Sequence, residues 1–428
     1  MSGSQTRQAW VPAQRPAPPQ ERSRPQHPQR HRRGPRRSAP ALSRATGALR
    51  RAWPALAAYL VVRALGVAAV AYRAGDDGPG LGALLTSKYD TQYYVHIARF
   101  GYAAPMTDAC GVQGELCKYA FFPLYPALIR GASAVLPLPV GVVAWGIAML
   151  GALMAAWGVY AVTERVAGRR AGVIAAVLWG IAPHAMVESM AYTEPLFTAL
   201  AAWSLFAALT HRWAVAGLLA CLAGLTRPSG SAVVAAVVLA AAWTLLARSR
   251  SRTRPETTAN RPRTGALLTA VVVAPIGWFA WFGWVGYRAG NWRGYFQVQE
   301  KWGSAFDGGD FTLHRIADVF LKLPVGLNAV VGTGTVLLSL VVFAICVQQR
   351  QPTVLLVYVG VLLLIAVGGA GYFHSKARFL LPAFPLLIPA AKALAATRSS
   401  TMYTLLGAAT LVSSGYGVHL MLVWPHSP

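Results

Sequence analysis

The stretch "TVLLVYVGVLLLIAVGGAGY" (353–372) runs for twenty residues without a charged side chain. About 20 apolar residues cross the hydrocarbon core of a bilayer, where every backbone N–H and C=O must find its partner inside the protein. A membrane-crossing helix is predicted there. Similar blocks recur along the chain, "SAVVAAVVLAAAWTLLA" (231–247) among them, and only 12% of all residues are charged. That is about half the share of a soluble domain. The expected fold is an all-α polytopic membrane protein. About eleven spans are predicted, at 52–73, 138–163, 171–191, 194–210, 213–226, 230–247, 265–288, 325–347, 353–372, 378–397 and 402–424. Segment 119–136 is apolar but broken by Pro123 and Pro126, and reads as re-entrant or interfacial.

The net charge of +25 would suit nucleic acid, but its placement argues otherwise. Residues 1–51 hold twelve Arg and a single acid, Glu21, among many Pro and Gln. Such a segment cannot bury a core and is expected to be a disordered basic tail on the cytoplasmic side, touching anionic lipid heads. It has no apolar run before residue 52, so it is not a cleaved signal peptide. Residues 52–428 form the membrane-embedded domain. The basic loops "TERVAGRR", "HRW", "RSRSRTRPETTANRPR", "QQRQP" and "ATRSS" share the side of the tail. The long loops 74–137 and 289–324 then fall outside, which predicts a multi-pass plasma-membrane protein with an extracytoplasmic site. No nucleic-acid partner is expected.

Cys110 and Cys117 share the first outside loop, where a disulfide is plausible in an oxidising compartment. Cys221 and Cys346 lie in predicted spans. No Cys/His cluster has metal-ligand spacing, so neither a metal nor a cofactor is expected.

Fourteen acids remain to be sorted. Asp76 and Asp77 in "AGDDGPG", like Asp307 and Asp310 in "FDGGD", sit in turn composition. Asp90 differs. In "SKYDTQYYVHIARFGY" (87–102), apolar or aromatic residues at 89, 93, 97 and 100, then 94, 98 and 102, predict a helix lying in the outer interface. Asp90 would sit at its N-terminus. Two roles stay open: a capping box with Ser87 as N-cap, or a general base. Glu194 precedes Pro195, the first-turn proline of the next helix, and either balances the helix dipole or joins a site. Arg227 in "GLTRPSGS" and His374, Lys376 and Arg378 in "YFHSKARF" place cations at outside mouths, against the inside bias. They either snorkel to headgroups or bind phosphate, which Arg does with two parallel bonds. One base with several phosphate-binding cations suits glycosyl transfer from a lipid-phosphate sugar. No Rossmann-type pattern for a nucleotide sugar and no D-x-D motif is present.

The segments "YDTQYYVHIARFGY", "YAFFPLYPALIR", "YTEPLF", "GLTRPSG", "YFQVQEKWG" and "ARFLLPAFPLL" occur in this order over roughly residues 85–400. Together they resemble the PIG-V-type mannosyltransferases, the GPI mannosyltransferase 2 family, and their actinobacterial homologues of the GT-C class. The resemblance implies a GT-C fold with polyprenyl-phosphate mannose as donor. It makes Asp90 the first-loop acid that acts as base. Where that family often has Trp before the acid, this chain has Tyr89, and its Arg-Pro-Asn-Gly element appears here as Arg227-Pro228-Ser229-Gly230. The donor phosphate would meet Arg227, Arg378, Lys376 and His374. The sugar and the acceptor, a hydroxyl of unknown origin, would meet Tyr89, Gln92, Tyr93, Glu194, Gln297, Gln299 and Trp302. Another polyprenyl-linked sugar is the nearest alternative. A lipid or solute transporter is the more distant one, for which Arg63 and His184 are the polar mid-span residues.

Overall fold

A computed structural model describes residues 41–75, 80–104, 115–250 and 263–427. The described residues are helical apart from short connections and one two-residue ladder. The chain opens with α1 (Ala41–Ala74), α2 (Leu81–Thr86), α3 (Thr91–Phe100) and α4 (Leu124–Ser133). Then follow α5 (Val140–Ala167), α6 (Arg169–Gly180), α7 (Glu194–Leu209), α8 (Trp213–Gly224) and α9 (Gly230–Arg250). The second half holds α10 (Thr264–Val273), α11 (Ile276–Arg288), α12 (Gly294–Lys301), α13 (Asp310–Leu321), α14 (Leu327–Gln348) and α15 (Thr353–Gly368). Last come α16 (Lys376–Phe379), α17 (Leu387–Ala396) and α18 (Ser399–Val418).

Each predicted span contains helix, but length separates them. Six helical stretches among the described residues are long and apolar enough to cross a membrane, beginning at Thr46, Val140, Gly230, Thr264, Leu327 and Ser399. A seventh is the pair Phe373–Phe379 and Phe384–Ala396, bent by 79° where the sequence has Pro382 and Pro385. Three more, α7, α8 and α15, are apolar but shorter. Among the described residues, six crossings, or seven with the bent pair, follow from helix length and apolarity alone. α1 begins at Ala41, so residues 41–51 are helical where a disordered tail is expected. The rest of that tail lies outside the described residues.

The predicted span 171–191 departs most. Its helix stops at Gly180, because Pro183 disfavours helix at the residue before it. The chain then passes through His184 at φ +65° into a short 3₁₀ turn, Ala185–Ser189. Arg63 seals this break. Its Nη1 donates to the freed Gly180 carbonyl (3.0 Å), and Nε and Nη2 donate to Ser189 Oγ (3.0 and 2.8 Å). The mid-span cation is thus a structural clamp.

The core is built from small side chains, such as Ala152, Ala155 and Ala156 on α5 against Ala201 and Ala202 on α7. In a membrane, close backbone approach replaces the hydrophobic effect as the packing force. Glycines set that approach where helices nearly touch. A Cβ at Gly277 of α11 would overlap the Cys221 carbonyl of α8.

Outside the bundle, Ala305 and Phe306 pair antiparallel with Ala370 and Gly369. This ties the second long loop to the entrance of α16. Asp307 then turns the chain into α13, accepting from the backbone N–H of Gly309 (2.9 Å) and Phe311 (2.7 Å). Those two donors hold its carboxyl below the usual range, as a turn acid requires.

Gly277→Ala should lower the thermal unfolding midpoint in detergent, since overpacking costs about 1–3 kcal/mol. An unchanged midpoint would show that α8 and α11 are not locked at this crossing.

Candidate active site

The candidate site forms where four helix breaks meet. α2 ends at Ser87, whose hydroxyl donates back to the Ala83 carbonyl (2.8 Å). The capping-box expectation is therefore overturned: Ser87 serves α2, and the Asp90 side chain makes no bond to the N-terminus of α3. Between them Tyr89 takes φ +57°, an unfavourable region for a bulky residue that costs about 1–3 kcal/mol. Neighbours hold it there. The Tyr89 hydroxyl donates to the carbonyls of Trp424 (3.1 Å) and Leu420 (3.3 Å), and Lys88 Nζ donates to that of Met421 (2.6 Å). The strained turn aims the Asp90 carboxylate away from its own helix.

It meets Arg378. One Asp90 oxygen accepts from Arg378 Nη1 at 2.9 Å. Arg378 sits on α16, the short first half of the bent pair, so the break in that span delivers its guanidinium sideways. Its Nε lies 3.5 Å from Glu194 Oε1. The same Glu194 oxygen lies 2.5 Å from Arg227 Nη1. Arg227 comes from the α8–α9 turn, where Gly230 is needed because α9 starts against the Gly224 backbone. A linear ion chain results: Asp90, Arg378, Glu194, Arg227. Two negative and two positive groups compensate one another, which buried charges require.

Exposure separates the two acids. The Glu194 side chain is 1% exposed and held between two guanidinium groups, whereas that of Asp90 is 25% exposed. Only Asp90 is open enough to receive a proton from an arriving molecule. Glu194 is a fixed counter-ion that orients both arginines. A hydroxyl network surrounds the chain. Arg227 Nη1 donates to Thr193 Oγ (3.0 Å), Thr193 and Tyr94 share a bond (3.1 Å), and the Asp90 N–H donates to the Tyr192 hydroxyl (3.2 Å).

Next to Asp90, Tyr93 stacks on Phe121 (centroids 4.8 Å) and meets the edge of Trp302 (5.3 Å). Burial, with the negative Asp90 nearby, raises the Tyr93 hydroxyl above its ordinary range. Trp302 is a junction. Its Nε1 donates to the Cys117 carbonyl (2.9 Å), and its own carbonyl accepts from the Tyr372 hydroxyl. Both long loops thus converge on this aromatic wall.

Other expected contacts lie elsewhere. Lys376 is 1% exposed, and its ammonium donates to Thr312 Oγ (2.9 Å) and the carbonyls of Ala366 and Gly369 (2.5 Å each). It is tied to the end of α15 rather than turned toward Asp90. His374 faces the rings of Trp424 (5.4 Å) and His426 (6.1 Å). Gln297 accepts from Asn291 (2.9 Å), Gln299 donates to Tyr295 (2.8 Å), and Gln92 is exposed. Cys117 is disulfide-bonded, while Cys110 lies outside the described residues. Cys221 and Cys346 are free thiols. Among the described residues no group of three or more His, Cys, Asp or Glu could hold a metal ion.

Sequence reasoning missed Tyr192, Thr193 and Ser427. Tyr192 and Thr193 stand within "YTEPLF", where the acid drew attention from its neighbours. Ser427 carries no motif, yet its hydroxyl donates to Asp90 (3.2 Å) and accepts from Arg378 (3.2 Å).

An aromatic groove runs along α11, and one of its rings reaches the α8–α9 turn. Trp278 Nε1 donates to the Pro228 carbonyl (3.0 Å), and from there Trp278, Phe279, Phe282, Gly283, Tyr287 and Phe296 line about 900 Å³. A second cavity, about 440 Å³, lies at the other end of α7 among Arg165, Arg350 and Lys392.

No protein family matches the sequence. No curated protein matches it. Among solved structures, the chain is similar to ArnT from Cupriavidus metallidurans bound to undecaprenyl phosphate, at 14% identity and TM-score 0.49, over 88% of this chain and 64% of that one. It is also similar to the Archaeoglobus fulgidus oligosaccharyltransferase tethered with an acceptor peptide, at 15% identity and TM-score 0.45, over 89% of this chain and 56% of that one. The chain therefore spans less than two thirds of the length of either.

Glu194→Gln removes the charge both arginines share. Leaving buried cations uncompensated costs about 3–5 kcal/mol, so the unfolding midpoint should fall sharply. A variant as stable as the parent would show that the arginines do not depend on Glu194.

Proposed function

We propose that the protein is an inverting GT-C-type membrane glycosyltransferase that moves mannose from polyprenyl-phosphate mannose to an acceptor hydroxyl. The observation that carries this reading is the ion chain. It joins a partly open carboxylate to two arginines that a buried acid holds in place. That is the equipment for removing one proton and receiving one phosphate.

In the proposed reaction the acceptor hydroxyl approaches Asp90 and gives it a proton. Its oxygen attacks the anomeric carbon from the face opposite the phosphate. The bond between that carbon and the phosphate oxygen breaks, and polyprenyl phosphate leaves with its charge on Arg378 and Arg227. A single displacement inverts the anomeric centre. A retaining route needs a second carboxylate as nucleophile, and Glu194 is sealed between the arginines.

The aromatic groove favours a lipid-linked donor. Its Trp278 ring bonds to the carbonyl of Pro228, the residue after Arg227, so a phosphate on Arg227 could lay its isoprenoid chain along Trp278 and Phe282. The wall of Tyr93, Phe121 and Trp302 suits the sugar ring. Mannose rests on the sequence resemblance. The basic loops argue for a plasma-membrane site facing away from the cytoplasm.

The test uses purified protein in lipid with radiolabelled polyprenyl-phosphate mannose and, in parallel, the glucose and arabinose analogues. Wild type should release sugar. Asp90→Asn should lose about 10²–10⁴-fold, as expected when a general base is removed. Equal turnover by both proteins would remove Asp90 as the base, and turnover of another sugar alone would replace mannose. Gly283→Leu is a sharper probe of the groove, because nothing lies within 4 Å of a Cβ there. It should fold normally yet weaken donor use. An unchanged KM for donor would place the lipid elsewhere.

A further inference from the structure

After α18 the chain does not leave the site. One π turn, His419–Val423, ends the helix, and the residues after it cross the start of α3. Ser427 Oγ donates to Asp90 Oδ1 at 3.2 Å, accepts from Arg378 Nη1 at 3.2 Å and shares a bond with the Tyr192 hydroxyl at 3.1 Å. Trp424 and His426 close on the His374 ring. Tyr89, the strained residue before Asp90, donates to the Trp424 carbonyl.

A substrate hydroxyl about to lose its proton must donate to the base, as Ser427 does to Asp90. The lone pair that a substrate would aim at the anomeric carbon is, in Ser427, taken by Arg378 Nη1, the cation that the leaving phosphate claims in the proposed reaction.

We infer that Ser427 occupies the acceptor-hydroxyl position, so that segment 424–427 is an internal acceptor mimic that closes the site until a substrate displaces it. The inference rests on the proposed glycosyl transfer at Asp90. Donor binding would help release the segment. A phosphate taking Arg378 removes one of the three bonds to Ser427 and loosens Arg378 from Asp90. The closed segment would also keep water from the base until it is displaced, so that hydrolysis, like transfer, must first break the bonds to Ser427.

The first test measures hydrolysis of polyprenyl-phosphate mannose by the full-length protein without added acceptor, water being the probe. Ser427→Ala should raise that rate about 2- to 10-fold, the range for losing a hydrogen bond of typical net strength. Adding Asp90→Asn should abolish the gain. A rate that falls or stays level in Ser427→Ala overturns the inference, since Ser427 would then support the site or be irrelevant to it. A hexose mass on Ser427 after incubation with donor also overturns it, by making the segment the acceptor itself.

A second readout needs no turnover. In a Cys221→Ala, Cys346→Ala background, Ser427→Cys should react slowly with a soluble maleimide and faster once polyprenyl phosphate is added. Fast labelling in both conditions, or slow labelling in both, overturns the closed segment. If no protein consumes donor, yet labelling responds to polyprenyl phosphate, the segment stands as a phosphate-sensitive closure, and it is the glycosyltransferase reading and the acceptor role of Ser427 that fail.

Discussion

Arg378 sits between two carboxylates, and the architecture of this end of the bundle follows from that. A guanidinium this deeply buried is costly unless it is fully paired. Asp90 and Glu194 supply the pairing from opposite sides, and Glu194 passes the constraint on to Arg227. Four segments far apart in sequence must therefore meet within a few ångströms. The strained Tyr89, the 79° bend between α16 and α17, and the close start of α9 against α8 are the local distortions that let them meet. Strain at such positions persists only where surrounding structure over-determines it.

The same arrangement separates roles by environment. Glu194 and Asp90 are both carboxylates, and both touch Arg378. Sealing one and leaving the other partly open makes the first a fixed counter-ion and the second a group that can exchange a proton. The cations differ in the same way. Arg227 and Arg378 share the carboxylate of Glu194, whereas the Lys376 ammonium is tied to carbonyls at the end of α15. An ammonium there stabilises a helix C-terminus, a structural task in its own right.

Much of this was legible in the sequence because a membrane protein with few acids makes each one conspicuous. Apolar blocks gave the helical segments. Asp90, Glu194, Arg227 and Arg378 stood out as charges at the ends of those blocks, and the structure brings these four together. What was not legible depends on tertiary direction. Helix periodicity does not say that α6 stops at Gly180, because Arg63, from a helix more than a hundred residues earlier, supplies the hydrogen bonds that make the break tolerable. "YFHSKARF" offers three cations in five positions, and only the turn geometry decides that Arg378 points inward while Lys376 points along α15. The capping-box pattern at Ser87 was a true local signal that the backward bond to Ala83 overrode. Ser427 had no local signal, since its contacts lie 49 to 337 residues away in sequence.

The most direct measurement is an experimental structure of the full-length protein in lipid with polyprenyl phosphate added. The account predicts the phosphate against Arg378 and Arg227, its chain along Trp278 and Phe282, and Asp90 released from Arg378. A phosphate bound elsewhere, with the ion chain from Asp90 to Arg227 undisturbed, would contradict it.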